Sequence, residues 1–202
     1  MHFEDEHPAA APPGTDGKAE LRGAIRRRRK SAVADPDRAR RIADDFFSRP
    51  EVTARLHPGV TALCYVALRH EPPTSALRER LKTAGVRVLL PIAKDDGSLS
   101  WVGDPGPQAR AWGVPGQPDQ PPEEIRLVDP GNPAVVVVPA LAVTPDGHRL
   151  GQGGGYYDRL LQVLAPSDRG GPLRVAIVGS DEVLEAIPTE PHDAKVNVVV
   201  VG

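Results

Sequence analysis

Short runs of branched apolar residues, separated by helical patterns, constrain this chain more than any other feature. Residues 60–66, 86–90, 135–138, 174–178 and 196–201 read as strands, and the last three are dominated by Val. Near-continuous Val/Leu/Ile runs belong to strands covered on both faces, and their alternation with helices calls for parallel pairing. The expected fold is therefore α/β: a single domain with a mostly parallel sheet flanked by helices on both faces, a Rossmann-like three-layer sandwich. The intervening helices are placed by their punctuation. Residues 18–31 read as a helix with Leu21 and Ile25 one turn apart on a basic surface. Asp35-Pro36 supplies an N-cap and a first-turn residue for a helix that turns Ile42, Phe46 and Phe47 inward. Thr74 or Ser75 caps a helix through Leu77, Leu81 and Ala84, and Gly85 closes it. Pro91 ends the second strand, Leu99-Ser100-Trp101 forms a short strand, and residues 156–164 form a helix.

The bulk numbers set limits. At 202 residues the chain is one domain with room for a proper core. Residues 1–17, rich in Pro, Gly, Ala and acids, read as a disordered tail, and residues 18–202 as the folded domain. A second proline-rich stretch, residues 103–133, reads as a long surface excursion of the kind that often forms a lid or binding loop. The net charge of −2 gives no global attraction to nucleic acid or to anionic lipid. Cys64 is the only cysteine, so an intrachain disulfide is excluded, and its mid-strand place makes it a small buried hydrophobe. No apolar run has membrane-spanning length and no hydrophobic signal core begins the chain, so the expectation is a cytoplasmic monomer without membrane or nucleic-acid partners.

Gly147-His148-Arg149-Leu150-Gly151-Gln152-Gly153-Gly154-Gly155-Tyr156-Tyr157-Asp158-Arg159 lies between the valine run and a helix. Four glycines in five positions let backbone N–H groups approach an anion, and the next helix adds its positive end. Arg149 and Arg159 flank the loop, and Asp158 can hold a cation. Neither standard phosphate motif fits. A P-loop needs Lys-Ser/Thr where Tyr156-Tyr157 stands, and the dinucleotide fingerprint needs glycine at Tyr156. A tight turn needs one or two glycines, not four, so the loop is read as an anion site. Ligands of such sheets bind beyond the carboxyl ends of the strands, which also brings forward Arg69, His70 and Glu71. The basic run from Arg26 to Lys30 reads as a solvated helix face rather than a nucleic-acid patch.

Three separated segments together resemble the 5-formyltetrahydrofolate cyclo-ligase (methenyltetrahydrofolate synthetase) family. Lys18-Ala19-Glu20-Leu21-Arg22, followed by Arg26 to Arg29, is similar to its opening Lys-x-x-x-Arg helix. Tyr65-Val66-Ala67-Leu68-Arg69-His70-Glu71-Pro72-Pro73-Thr74 is similar to its folate-side loop. Arg149 to Arg159 matches its signature almost fully, and His192-Asp193 also fits. The similarity runs over roughly residues 18–201. It implies ATP-dependent cyclisation of 5-formyltetrahydrofolate to 5,10-methenyltetrahydrofolate, with release of ADP and phosphate. It assigns Lys18 and Arg149 to catalysis by charge neutralisation. It assigns Lys18, Arg22, Arg149, Leu150, Gly151, Gln152, Gly153, Gly154, Gly155, Tyr156 and Tyr157 to ATP. Glu71, Tyr65 and Trp112 fall to the reduced folate, and Asp158 and Asp193 to Mg²⁺.

The chain departs from the family pattern at several points. Val143-Thr144 stands for Phe-Asp, His70 for Gly, Asn197 for a final Asp, and residues 113–118 for Gly-Ile-x-Glu-Pro. The family's Gln near the penultimate strand has no counterpart around Ser180-Asp181-Glu182. These departures motivate a second reading, a catalytically weakened relative that binds nucleotide or folate as a sensor. A third is an enzyme of another class on the same kind of sheet, such as a sugar-phosphate isomerase or acyl-CoA transferase.

Overall fold

The computed structural model describes residues 15–114, 117, 127–190 and 193–202. Helix α1 is Thr15–Ser31, so it starts three residues before Lys18, and the rest of the expected tail lies outside the described residues. Helices α2 (Arg38–Ser48) and α3 (Pro50–Thr53) lead into strand β1 (Thr61–Leu63). Helix α4 (Ser75–Thr83) leads to an antiparallel pair, β2 (Arg87–Ala93) and β3 (Leu99–Gly103). Strand β4 (Val135–Pro139) is followed by a small hairpin, β5 (Ala142–Val143) and β6 (Arg149–Leu150), and then by helix α5 (Tyr156–Val163). Strands β7 (Leu173–Val178) and β8 (Val198–Val201) finish the fold. The main sheet runs β3-β2-β1-β4-β7-β8, parallel throughout except for β3. The expected three-layer architecture is the one observed.

The valine run explains the layering. Val135 and Val137 point into one core with Ile42, Phe46, Leu77 and Leu81 from α2 and α4. Val136 and Val138 point the other way, into a core with Leu161 of α5 and Trp101. With a period of two and both faces covered, every residue of the run is fully buried. A third, smaller cluster joins Ile25 of α1 to Leu141, Ala142 and Leu150 of the hairpin. That contact clamps α1 over the carboxyl end of β4.

Three local differences from the sequence reading have physical causes. Strand β2 does not stop at Pro91, because β1 pairs only as far as Leu63 with Leu89. The missing N–H of Pro91 falls on that vacated side, while Pro91 still faces Trp101 of β3. Helix α2 begins at Arg38 rather than at Pro36. Asp35 instead accepts the Asp37 N–H at 3.0 Å and pairs with Arg41 across the first turn. Phe47 is only half-buried, under the Arg80 guanidinium 4.5 Å from its ring centre. Cys64 is fully buried, as expected, and burial pushes its thiol up to about 12.

Candidate functional site

The glycine loop, residues 151–155, leaves the short strand β6 and enters α5 at the carboxyl side of the sheet. Gly153 (φ 105°) and Gly155 (φ 70°) take left-handed conformations that side chains resist. Three arginines hold the loop by its carbonyls. Arg22 Nε donates to the Gly151 carbonyl at 3.0 Å, Arg26 Nη2 to that of Gln152 at 2.6 Å, and Arg159 Nη2 to that of Gly154 at 2.9 Å. With the oxygens engaged, the amides stay available. Among the described residues, no N–H from 151 to 155 donates a hydrogen bond. A ribbon of unpaired amides beside guanidinium groups and a helix N-terminus is an anion-binding arrangement.

Two cavities meet at this loop, and Gly151, Gly153, Gly155, Arg149 and Asp158 line both. The smaller, about 150 Å³, is also lined by Lys18, Arg22, Leu150, Glu190 and Asp193. Lys18 is buried and donates to Glu190 and Asp193 at 2.7 Å each. Burial opposes its charge, but the hydrogen bonds it donates to the two carboxylates outweigh this and raise its ammonium above the usual lysine range. Arg149 is buried too, paired with Asp158 and donating to the Pro139 carbonyl at 3.1 Å, while its Nε has no hydrogen-bond partner among the described residues. Lys18, Arg22, Arg149, Asp158 and Asp193 thus line one cavity, with Lys18 paired to Asp193 and Arg149 to Asp158. His192 lies outside the described residues.

The larger cavity is a cleft of about 660 Å³, of drug-sized ligand dimensions. Tyr65, Glu71 and Trp112, expected on the folate side, all line it, as do Gln152, Tyr156 and Tyr157. Tyr65 and Trp112 are buried in the sheet; the Trp112 carbonyl accepts the Ala93 N–H at 3.1 Å. Burial pushes the Tyr65 and Tyr157 hydroxyls well above the usual tyrosine range, so both stay neutral donors. Among the described residues, the Tyr157 hydroxyl is buried at the cleft wall without a hydrogen-bond partner. Glu71 is fixed at both oxygens: Oε2 accepts the Leu68 N–H at 2.8 Å, and Oε1 accepts from Gln152 Nε2 at 2.7 Å.

The model of the 5-formyltetrahydrofolate cyclo-ligase family matches residues 14–202. The chain belongs to this family. It is 39% identical over 140 residues to a 5-formyltetrahydrofolate cyclo-ligase of Mycolicibacterium smegmatis, covering 67% of this chain and 70% of that protein. A 5-formyltetrahydrofolate cyclo-ligase of Mus musculus is 34% identical over 65 residues, 32% of each chain. Among solved structures, a 5,10-methenyltetrahydrofolate synthetase from Mycoplasma pneumoniae superimposes with a TM-score of 0.67 at 18% identity, over 91% of this chain and 97% of that one. That of Aquifex aeolicus gives 0.66 at 27% identity, over 91% and 89%. The fold is that of these synthetases, and the chain is an enzyme of the ligase class.

Within the cyclo-ligase frame, the departures find structural places. Thr144 is buried at the hairpin turn, where its hydroxyl donates to Asp146 at 2.6 Å and accepts the His148 N–H at 3.0 Å. Asp146 also binds Lys195 at 2.7 Å; those two hydrogen bonds, Lys195 first, hold its carboxyl down to about 2. Asn197 Oδ1 accepts the Arg174 N–H at 2.9 Å and joins β7 to the start of β8. Neither Thr144 nor Asn197 lines either of these two cavities. His70, at φ 72°, is the only non-glycine residue with positive φ among the described residues, so the backbone there keeps the conformation for which glycine is suited.

Sequence reasoning missed one buried feature and misread another. Arg29 is not on a solvated face: it is 7% exposed and grips Glu182 with two hydrogen bonds of 2.6 and 2.8 Å. Its Nη2 also reaches the Ala140 carbonyl at 2.8 Å. Glu182 also accepts the Gly179 N–H at 2.7 Å. Burial would raise its carboxyl, but the hydrogen bonds from Arg29 and Gly179 bring it below the usual range. Arg26 and Arg28 stay exposed, and from the surface they bond to Gln152 and Asp181. The solvated-face reading therefore holds for Arg26, Arg27, Arg28 and Lys30 and fails only at Arg29, while Arg26, Arg28 and Arg29 together tie α1 to the glycine loop and to the segment after β7. The signal lay in the spacing: Lys18, Arg22, Ile25 and Arg29 recur at helical period and share the face on which Ile25 is buried.

Proposed function

We propose that this protein closes the ring of 5-formyltetrahydrofolate to give 5,10-methenyltetrahydrofolate, coupled to conversion of ATP to ADP and phosphate. The observation that carries the proposal is the ribbon of unpaired amides from 151 to 155, set between a polar cavity and a folate-sized cleft. The chemistry follows from that placement. Phosphoryl transfer to the formyl oxygen turns that oxygen into a leaving group. The N10 nitrogen then attacks the formyl carbon and gives up its proton to solvent, the new C–N bond closes the ring, and the C–O bond breaks as phosphate departs with the oxygen. Such a transfer needs positioning and charge neutralisation rather than a covalent protein intermediate. The loop amides, Arg22 and the buried Arg149 meet the phosphates, and Lys18 adds charge from the far wall of the small cavity. Glu71, with its carboxylate fixed from two sides, orients the reduced folate, and Tyr65 and Trp112 flank the flat ring.

Mg²⁺ fits the donor set of the small cavity: Asp158 and Asp193 would hold it, with phosphate and water supplying the remaining oxygens. When bound, it would neutralise charge on the transferring group. The residues expected for ATP and folate lie on the two cavities, while Thr144 and Asn197 lie on neither. That placement supports turnover over a sensor that only binds. The test is direct: purified protein with ATP, Mg²⁺ and 5-formyltetrahydrofolate should generate the methenyl chromophore. A folded sample that binds both substrates and never develops the absorbance would establish the sensor reading instead.

A further inference from the structure

Gln152 is the only residue from 151 to 155 with a side chain, and that side chain reaches across the molecule. Its Nε2 donates to Glu71 Oε1 at 2.7 Å, in the loop on the far side of the large cleft. Its Oε1 accepts from Arg26 Nη2 at 3.2 Å, and its backbone carbonyl accepts from the same nitrogen at 2.6 Å. The arginine belongs to α1, the helix that carries Lys18 and Arg22 to the small cavity. Three separate segments therefore converge on one amide. The loop that Gln152 belongs to forms a wall of both cavities. Glu71 has no other side-chain hydrogen-bond partner among the described residues; its second oxygen is held by the Leu68 N–H.

We propose that Gln152 is a positioning residue that couples the two substrate sites, acting through Glu71. This rests on the functional reading above. A polyphosphate seated on the 151–155 amides fixes the backbone from which the Gln152 side chain springs. The amide then fixes one oxygen of Glu71 in the orientation that meets the folate. Ordering of one site thereby lowers the cost of ordering the other, and by linkage the effect is reciprocal. The backbone N–H of Gln152 contacts phosphate whatever the side chain is. The coupling and the phosphate contact are thus separable by substitution.

The test is an equilibrium titration with the Mg²⁺ complex of a non-hydrolysable β,γ-imido analogue of ATP, with and without saturating 5-formyltetrahydrofolate. In the wild type each ligand should tighten the other by about 5-fold or more, in the ordinary range of site-to-site coupling. Gln152→Met keeps the length and removes the side-chain hydrogen bonds to Glu71 and from Arg26. Its coupling factor, taken against the variant's own affinity for each ligand alone, should fall toward 1. In a Glu71→Ala background, Gln152→Met should change the coupling no further. Three results overturn the proposal: an unchanged coupling factor in Gln152→Met, a wild type with no coupling, or a variant that loses analogue affinity equally with and without folate. The last would mark Gln152 as a structural part of the loop. A wild type that binds no 5-formyltetrahydrofolate overturns the functional reading as well, and the first titration separates that case.

Discussion

His70 keeps a left-handed backbone without a glycine's freedom. Its φ of 72° falls in the turn that the Glu71 N–H closes onto the Leu68 carbonyl at 2.9 Å. A left-handed non-glycine residue costs about 1–2 kcal/mol. A glycine there adds about 0.5–1 kcal/mol of freedom to the unfolded chain. The difference favours His70→Gly by about 0.5–1 kcal/mol, or roughly 1–4 °C in Tm for a chain of this size. A denaturation curve that shows a loss instead would reveal a stabilising contact of the imidazole. Arg149 makes the opposite case, since its burial serves charge rather than packing. Arg149→Ala removes a charge-assisted contact worth roughly 1.5–3 kcal/mol, so KM for ATP should rise about 10- to 100-fold. KM for the folate should move far less, and equal losses on both substrates would show that the guanidinium is structural. These two positions were legible for different reasons. Arg149 was marked by the motif around it, whereas the strain at His70 could be sensed only as a glycine missing from a family pattern.

Helix α1 shows what a single element adds and why the sequence told only part of it. Its apolar face is small, with Ile25 buried and Leu21 partly so against the hairpin. Ion pairs at Lys18 and Arg29, and hydrogen bonds from Arg22 and Arg26 to loop carbonyls, complete the attachment. Removing one partner of a buried pair leaves an unpaired charge, which costs about 3–5 kcal/mol. Arg29→Met should therefore lower urea stability by about that amount, and adding Glu182→Gln should recover roughly half, because Gln can still accept the Gly179 N–H. If the double variant is no more stable than the single one, packing rather than charge holds the helix. The pH dependence has a definite sign. The Glu182 carboxyl is lower in the folded state than in the unfolded chain, so its contribution is present above the unfolded value. It is lost as pH falls through the folded value, and Glu182→Gln should flatten that acid limb. Long Val/Leu/Ile runs and capped helices were readable because their signals are local. The pairing of Arg29 with Glu182 spans 153 residues and leaves no local trace beyond helical spacing. The two-residue strands β5 and β6 are too short to show a period at all.

At the scale of the whole molecule, the two cavities share one wall, so ligand binding should register as global stability. A ligand at 100 times its Kd stabilises the folded state by about 2.7 kcal/mol. For a chain of this length that is a rise of roughly 5–10 °C in Tm. On the proposed assignment of the polar cavity to phosphates and the large cleft to folate, the β,γ-imido ATP analogue with Mg²⁺ and 5-formyltetrahydrofolate should each produce such a rise. Chelation of the metal discriminates between the two. Asp158 and Asp193 accept from Arg149 and Lys18 without a cation, so the protein alone should melt at the same temperature with or without a chelator. The nucleotide, in contrast, brings negative charge up to those carboxylates, and without Mg²⁺ its stabilisation should fall by most of its size. The folate shift should survive chelation, since Glu71, Tyr65 and Trp112 line the large cleft without lining the small one. A nucleotide shift untouched by chelation would mean that the guanidinium groups and loop amides suffice for the phosphates, and would remove the metal from the assignment of Asp158 and Asp193.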